Sequence, residues 1–315
     1  MKSVSYIRQT GNGLQKNGAS IISAAPDFIA LMKPYIMLLV ALTGATSLVL
    51  ERSLFKAGSA GGWWRFALIL AGLLLSGGSA NAFNMYLERN IDAKMARTKD
   101  RRPLPQGRIE PLHALIFAIL IGILGTAIFA VFFNLLSAIL ALLTILFYSF
   151  FYTLYLKPRT PYNIVIGGAA GSMAPIIAWS AVAGNIALTP IMLSIIIFLW
   201  TPPHFWSLAL YTRKDYELVN YPMMPIARGD RATRRQILIY VLLLILFSVI
   251  CPTIGAGLTY AVIALAAGGI LIYRAARLVV AKTRPQARGL FRFSIIYLLA
   301  IFIGLILDSM VGISL

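Results

Sequence analysis

The 315 residues are 59% apolar and only 12% charged, with 28 Lys and Arg against 10 Asp and Glu, and they include a single cysteine. A soluble domain carries about 25% charged residues, so this chain has roughly half the charge it would need to sit in water, and one cysteine excludes a disulfide framework or a cysteine-based zinc or iron–sulfur site. Apolar runs of membrane-spanning length recur from end to end, which specifies an all-α, polytopic membrane protein.

In chain order, a basic tail at 1–29 comes first. From Met1 to Ala25 it lacks the apolar block of a cleavable signal peptide, and it holds no acid, a composition shared with organellar transit peptides. The expected location is a bacterial inner membrane, with the mitochondrial inner membrane as the alternative. A single transmembrane domain, 30–315, follows. Its nine predicted helices run 30–50, 65–87, 111–132, 135–155, 163–183, 188–211, 236–254, 257–280 and 293–312 around a central cavity. Tight connections such as Phe133-Asn134 and Gly184-Asn185 make neighbouring helices antiparallel hairpins. Trp63 and Trp64 stand where an interfacial aromatic belt is expected.

Charge orients the bundle. The tail and the connections after helices two, four, six and eight hold 25 of the 28 Lys and Arg, and only Arg52, Lys56 and Arg65 fall on the other side. Lys and Arg gather on the cytoplasmic face, so the N-terminus is expected inside and the C-terminus on the opposite side. The same asymmetry accounts for the net charge of +18 without nucleic acid.

Seven of the ten acids lie in two loops, 88–110 and 212–235: Glu88, Asp92, Asp100 and Glu110 in the first, Asp215, Glu217 and Asp230 in the second. Four helices separate the loops, so both open on the same side and can converge. Asn84, Glu88 and Asp92 recur every four residues, which places their oxygens on one stripe of a helix. Arg97, Lys99, Arg101, Arg102 and Arg108 follow at once. Carboxylates beside clustered arginines suit a magnesium diphosphate: Mg²⁺ takes one or two carboxylates plus phosphate oxygens and water, and Arg forks bind the remaining phosphate oxygens. The alternative is a helix end whose acids are balanced by Arg89, Lys94 and Arg97. Arg213-Lys214-Asp215-Tyr216-Glu217 repeats the acid–base chemistry on the same face, and Lys157 and Arg159 lie between. These residues point to an intramembrane enzyme that handles a diphosphate.

The stripe Asn84-x-x-x-Glu88-x-x-x-Asp92, with Arg97-Thr98 and Arg102-Pro103-Leu104-Pro105, resembles the first aspartate-rich motif of the UbiA superfamily of intramembrane prenyltransferases. Leu31-Met32-Lys33-Pro34, Leu156-Lys157-x-Arg159-Thr160, Asn163 to Gly171, Thr201-Pro202-Pro203-His204-Phe205-Trp206 and Tyr221-Pro222-Met223-Met224-Pro225 extend the resemblance over about residues 28–310. The Pro203-His204 segment with Lys214-Asp215-Tyr216 resembles the haem-modifying branch. Glu88 stands where many members have Asp, Asn90 replaces an acid, and one added residue between Arg97 and Arg102 leaves open which of Arg101 and Arg102 meets phosphate.

The resemblance implies transfer of a farnesyl group from farnesyl diphosphate to a vinyl group of haem B, with water adding to give haem O. It implies Mg²⁺ on Asn84, Glu88, Asp92 and Asp215, diphosphate contacts from Arg97, Lys99, Arg101, Arg102, Lys157, Arg159, Arg213 and Lys214, and a membrane-lipid setting. A downstream haem A synthase or terminal oxidase assembly is the implied partner. His204 has three readings: a ligand or contact of haem, a base for water, or a polar residue bonded to a neighbouring helix. His113 reads as solvated or phosphate-side. Gly77-Gly78 and Gly167-Gly168 read as packing faces or room for porphyrin and isoprenoid, and the aromatic run Phe147–Tyr152 as core, lipid contact or tail channel. Cys251-Pro252 is distant from the loops and is not read as a haem motif. A prenyltransferase acting on an aromatic quinone precursor is the alternative activity. A transporter is the rival class, disfavoured because the acids gather at one face and not at the midplane.

Overall fold

The computed structural model describes residues 21–55, 61–250 and 256–311. Among these, nine helices are long and apolar enough to cross a membrane. They are α1 (Pro34–Glu51), α2 (Gly62–Leu87), α3 (Pro111–Phe132), α4 (Leu135–Leu156), α5 (Asn163–Ala183), α6 (Leu188–Tyr211), α7 (Gly229–Ile250), α8 (Leu258–Ala281) and α9 (Arg284–Val311). Lys56 and Cys251-Pro252 lie outside the described residues.

Five of the nine starts fall within one residue of the sequence expectation, and two of the four exceptions are instructive. Helices α7 and α9 begin at Gly229 and Arg284 and not near 236 and 293. Hydropathy marks where a helix meets hydrocarbon, whereas Arg231, Arg234, Arg235, Arg288 and Arg292 continue the same helices outside it. Arg is a good helix former, so charge ends the apolar run without ending the helix. Helix α5 is interrupted between Gly171 and Ala174. Helix α6 instead runs unbroken through Pro202 and Pro203, with the Thr201 and Ser207 hydroxyls donating to the Ile197 and Pro203 carbonyls at 2.8 and 2.6 Å.

Small residues set the closest approach. A methyl group added at Gly125 of α3 would lie 2.7 Å from the Ser76 backbone nitrogen of α2, so these two helices meet backbone to backbone. Consecutive helices pack together, α6 also lies along α9, and α9 returns against α1. Helix α6 is the most enclosed, with 72% of its apolar window buried. The largest apolar cluster surrounds it, with Trp206, Ile237, Leu271 and Ile301 at its centre.

At the far end from the basic loops, buried Asp308 of α9 caps α8: its carboxylate accepts from the Gly257 and Tyr260 backbone N–H groups at 2.6 and 3.2 Å. Asp308→Ala removes the acceptor and leaves that helix start uncapped, so about 1–2 kcal/mol of stability should be lost. Thermal unfolding in detergent measures this, and an unchanged midpoint would show that the cap contributes nothing.

Half of α4 is wound differently. From Phe147 to Leu156 it is a π-helix, in which the Lys157 N–H bonds the Tyr152 carbonyl at 2.9 Å. Such windings are rare and recur at functional sites. Here the turn delivers Thr153 and Lys157 to the end of α2.

Candidate active site

The stripe survives folding. The Glu88 N–H bonds the Asn84 carbonyl at 3.0 Å and the Asp92 N–H bonds the Glu88 carbonyl at 2.8 Å, so one helical register continues past the end of α2 into the turn Arg89–Asp92. All three side chains are buried. Burial of two carboxylates requires countercharge, and two distant segments supply it: Lys157 from the end of α4 binds Glu88, and Arg102 binds Asp92. Arg102 reaches Asp92 because the loop doubles back. Extended Met95 breaks the helix, the Thr98 hydroxyl donates to the Asp92 carbonyl at 2.8 Å, and the Arg102 N–H bonds the Thr98 carbonyl at 2.9 Å. The choice between Arg101 and Arg102 is thereby settled for contact with Asp92. Arg101 is exposed.

Three members of the cluster escaped the sequence reading as site residues. The Lys33 ammonium donates to Asn84 Oδ1 at 2.8 Å, the Asn84 amide donates to Thr153 Oγ1 at 3.2 Å, and the Tyr221 hydroxyl donates to Glu88 at 3.4 Å. Lys33 has φ 56°, the left-handed region, and it precedes Pro34. A non-glycine residue is uncommon in that region, and the following proline favours extended backbone instead; strain of this kind concentrates at functional sites. The signals were present in Lys33-Pro34 and Tyr221-Pro222, but the contacts span 51 and 133 residues.

Electrostatics distinguishes the two acids. Burial raises the Glu88 pKa, but Lys157, then Arg102 and Lys33, outweigh it and hold the carboxyl below its usual value. At Asp92 burial prevails over Arg102, and the nearby Glu88 charge adds to it, so the carboxyl lies above its usual value. Burial, with Arg102 next, holds the Lys33 ammonium well below its ordinary pKa. With Lys33 charged, three cations face two carboxylates, a site with room for an anion.

The other expected residues separate into groups. Asp215 joins the two acidic loops, accepting the Arg97 backbone N–H at 3.2 Å, a cap on the turn Ala96–Lys99. The Arg97 Nε is buried with no hydrogen-bond partner among the described residues. Arg213 pairs with Glu217 and Asp230 at 2.7 and 2.9 Å and, with Lys214, lines a separate open cavity of about 410 Å³. Lys99 is exposed near Asp100, and Arg159 bonds the Leu154 and Tyr155 carbonyls while stacking on the Tyr155 ring. The structure therefore brings Asn84, Glu88, Asp92, Arg102 and Lys157 together, with Asp215 and Arg97 adjoining. It does not bring in Lys99, Arg101, Arg159, Arg213 or Lys214. His113 is exposed beside Glu110 at 3.8 Å.

Among the described residues no three Asp, Glu, His or Cys side chains gather closely enough to hold a metal ion. Glu88 and Asp92, one turn apart and acceptor-rich, still fit Mg²⁺ binding of the kind that borrows its remaining ligands from substrate phosphate and water.

His204 sits deeper in α6. Its ring is sandwiched between Trp200 and Phe291, with centroids at 4.3 and 4.5 Å, and its Nδ1 is 2.7 Å from Ser294 Oγ of α9. Ser294 donates its own proton to the Phe291 carbonyl at 2.7 Å. The hydroxyl is then the acceptor, Nδ1 carries the imidazole proton, and Nε2 keeps its lone pair. Gly167 and Gly168 are packing positions, their faces meeting the Tyr152 ring and the Thr201 side chain.

Comparison with known proteins places this geometry. The model of the UbiA prenyltransferase family matches residues 37–301. A protoheme IX farnesyltransferase of Erythrobacter litoralis is 47% identical over 291 residues, covering 90% of this chain and 92% of that protein. One of Gloeothece citriformis is 40% identical, covering 95% and 92%. The solved structure of a UbiA homologue from Archaeoglobus fulgidus, bound to DMAPP and Mg²⁺, superposes with a TM-score of 0.62 at 13% identity, over 89% of this chain and 99% of that one.

Proposed function

The chain belongs to the UbiA prenyltransferase family, and from that membership we propose that it transfers a farnesyl group from farnesyl diphosphate to a vinyl group of haem B. The observation that carries the reading is the buried pair of carboxylates, each matched by a cation, in a chain 47% identical to a protoheme IX farnesyltransferase. The bilayer in question is a bacterial inner membrane, with the basic loops on its cytoplasmic side, in keeping with the charge asymmetry and the bacterial relatives.

Glu88 and Asp92 would hold Mg²⁺, with Asn84 and Asp215 at the margin. The ion, when bound, neutralises charge on the diphosphate as the allylic C–O bond breaks. Lys157, Arg102 and Lys33 turn from their resting partners toward the phosphate oxygens and stabilise the leaving group, which takes the electron pair. Arg97, with its unpartnered Nε, adds a donor. The terminal vinyl carbon of haem B attacks farnesyl C1, forming the C–C bond. Positive charge is left on the carbon next to the porphyrin, water captures it, and a proton is lost to give the hydroxyethylfarnesyl group. No protein nucleophile is needed. Haem O would then pass to a haem A synthase or a terminal oxidase assembly.

We further propose that His204 meets haem through Nε2, with Nδ1 held by Ser294 as supporting hydrogen bonds hold ligand histidines. His204→Ala should shift the absorption spectrum of bound haem and weaken its binding. An unchanged spectrum and affinity would leave His204 as a helix-to-helix contact. The acceptor itself is tested by offering the purified protein farnesyl diphosphate with haem B and, separately, with 4-hydroxybenzoate, and identifying products by mass spectrometry. Haem O alone is expected. A prenylated benzoate in its place would assign the chain to the quinone-precursor branch.

A further inference from the structure

Beside the His204 stack, an open groove of about 450 Å³ runs between the end of α6 and the start of α9, lined by Tyr211, Arg284, Pro285, Arg288, Gly289 and Arg292. Arg288 and Arg292 are one helical turn apart on the same face. Among the described residues, neither they nor Arg284 has a carboxylate within ion-pairing distance. Across the groove the Tyr211 ring meets Phe291 edge to face at 5.7 Å, and Phe291 in turn stacks on His204 at 4.5 Å. A chain of ring contacts thus leads from beside Arg288 and Arg292 inward to the imidazole. Tyr211 also lies within electrostatic reach of Arg97, whose backbone is tied to Asp215.

An aromatic ring beside two guanidinium groups with no carboxylate partner matches an amphipathic planar molecule that carries two carboxylates on one edge. Resting on the acceptor reading above, we propose that Arg288 and Arg292 bind the two propionates of haem B. The ring then enters the groove beside Tyr211, with its far edge toward His204. Vinyl and propionate groups occupy opposite edges of the macrocycle, so anchoring the propionates at the mouth of the groove turns the vinyl edge into the bundle. The arginines are positioning residues: they select how the acceptor enters and take no part in bond making. Arginine suits this work because its planar fork pairs with a carboxylate through two parallel N–H bonds.

The test is a haem titration, followed by absorbance, of the full chain in nanodiscs of phosphatidylcholine. It compares wild type with Arg288→Gln/Arg292→Gln, using haem B and haem B dimethyl ester, whose propionates carry no charge. Two solvent-exposed charge pairs are each worth little, so the double variant should bind haem B about tenfold more weakly. It should bind the ester as wild type does, and its KM for farnesyl diphosphate should be unchanged. Arg288→Lys/Arg292→Lys should recover part of the loss. Equal weakening toward haem B and its ester, or no weakening, overturns the assignment. So does a loss that appears only when anionic lipid is added to the nanodisc, because the arginines would then serve lipid headgroups. If the unsubstituted protein binds no haem B, the acceptor reading fails together with this proposal. If the unsubstituted protein binds and the double variant binds equally well, the propionate assignment fails alone.

Discussion

Asp92→Asn and Glu88→Gln should each lower prenyl transfer by on the order of 10³-fold, the scale on which one preorganised electrostatic contact to a developing anion acts, about 4 kcal/mol of barrier. Both substitutions keep the side-chain shape and remove only the negative charge. At Asp92 the loss should fall on turnover more than on KM for the prenyl diphosphate, because the cations that bind the ground-state diphosphate remain in place. Steady-state kinetics on the two variants checks this. Wild-type turnover in either would remove that residue from the catalytic centre.

The second large effect concerns stability. Lys157 and Glu88 form a largely buried ion pair, and removing one partner of such a pair leaves the other charge uncompensated, at a cost of about 3–5 kcal/mol. Glu88→Gln and Lys157→Met should therefore each lower the unfolding temperature markedly. The double variant Glu88→Gln/Lys157→Met removes both charges and should regain most of that loss, since a buried pair is often no better than a neutral replacement. Activity should stay strongly reduced in all three. Stability that returns while activity does not would separate the pair's role in the chemistry from its role in the fold. Activity returning with stability would mean that the pair is structural only.

The nine membrane helices could be read from the chain because hydrocarbon forces each span to declare itself as a long apolar run. What hydropathy omits is the helix beyond the membrane, as at Arg284–Arg292 of α9, where charged residues extend the helix past its apolar segment. The π-winding of Phe147–Leu156 left no mark either. It is a choice of hydrogen-bond register, and the same ten residues would read as an ordinary apolar helix.

The stripe Asn84, Glu88 and Asp92 was legible because its spacing is local and helical. Lys33 and Tyr221 were not, since no local pattern ties a lysine at the start of α1 to an asparagine at the end of α2. Basic residues close in sequence also proved to have unlike fates. Arg101 and Arg102 are adjacent, yet only Arg102 turns onto Asp92, a consequence of the Thr98 hydroxyl tying the loop back. Arg213 and Lys214 immediately precede Asp215 but face a different cavity, because a short helix sends successive side chains in different directions. Composition therefore located the chemistry, and loop hydrogen bonds decided its members.

The central claim is that the buried acid–base cluster at the end of α2 carries out metal-assisted prenyl transfer to haem. It is tested most directly by following haem O formation by mass spectrometry in one preparation supplied with haem B and farnesyl diphosphate, first as purified, then after chelation with EDTA, then after Mg²⁺ is restored. The account predicts that haem O is formed, ceases on chelation and returns with Mg²⁺. Haem O formation that continues undiminished in EDTA would contradict it.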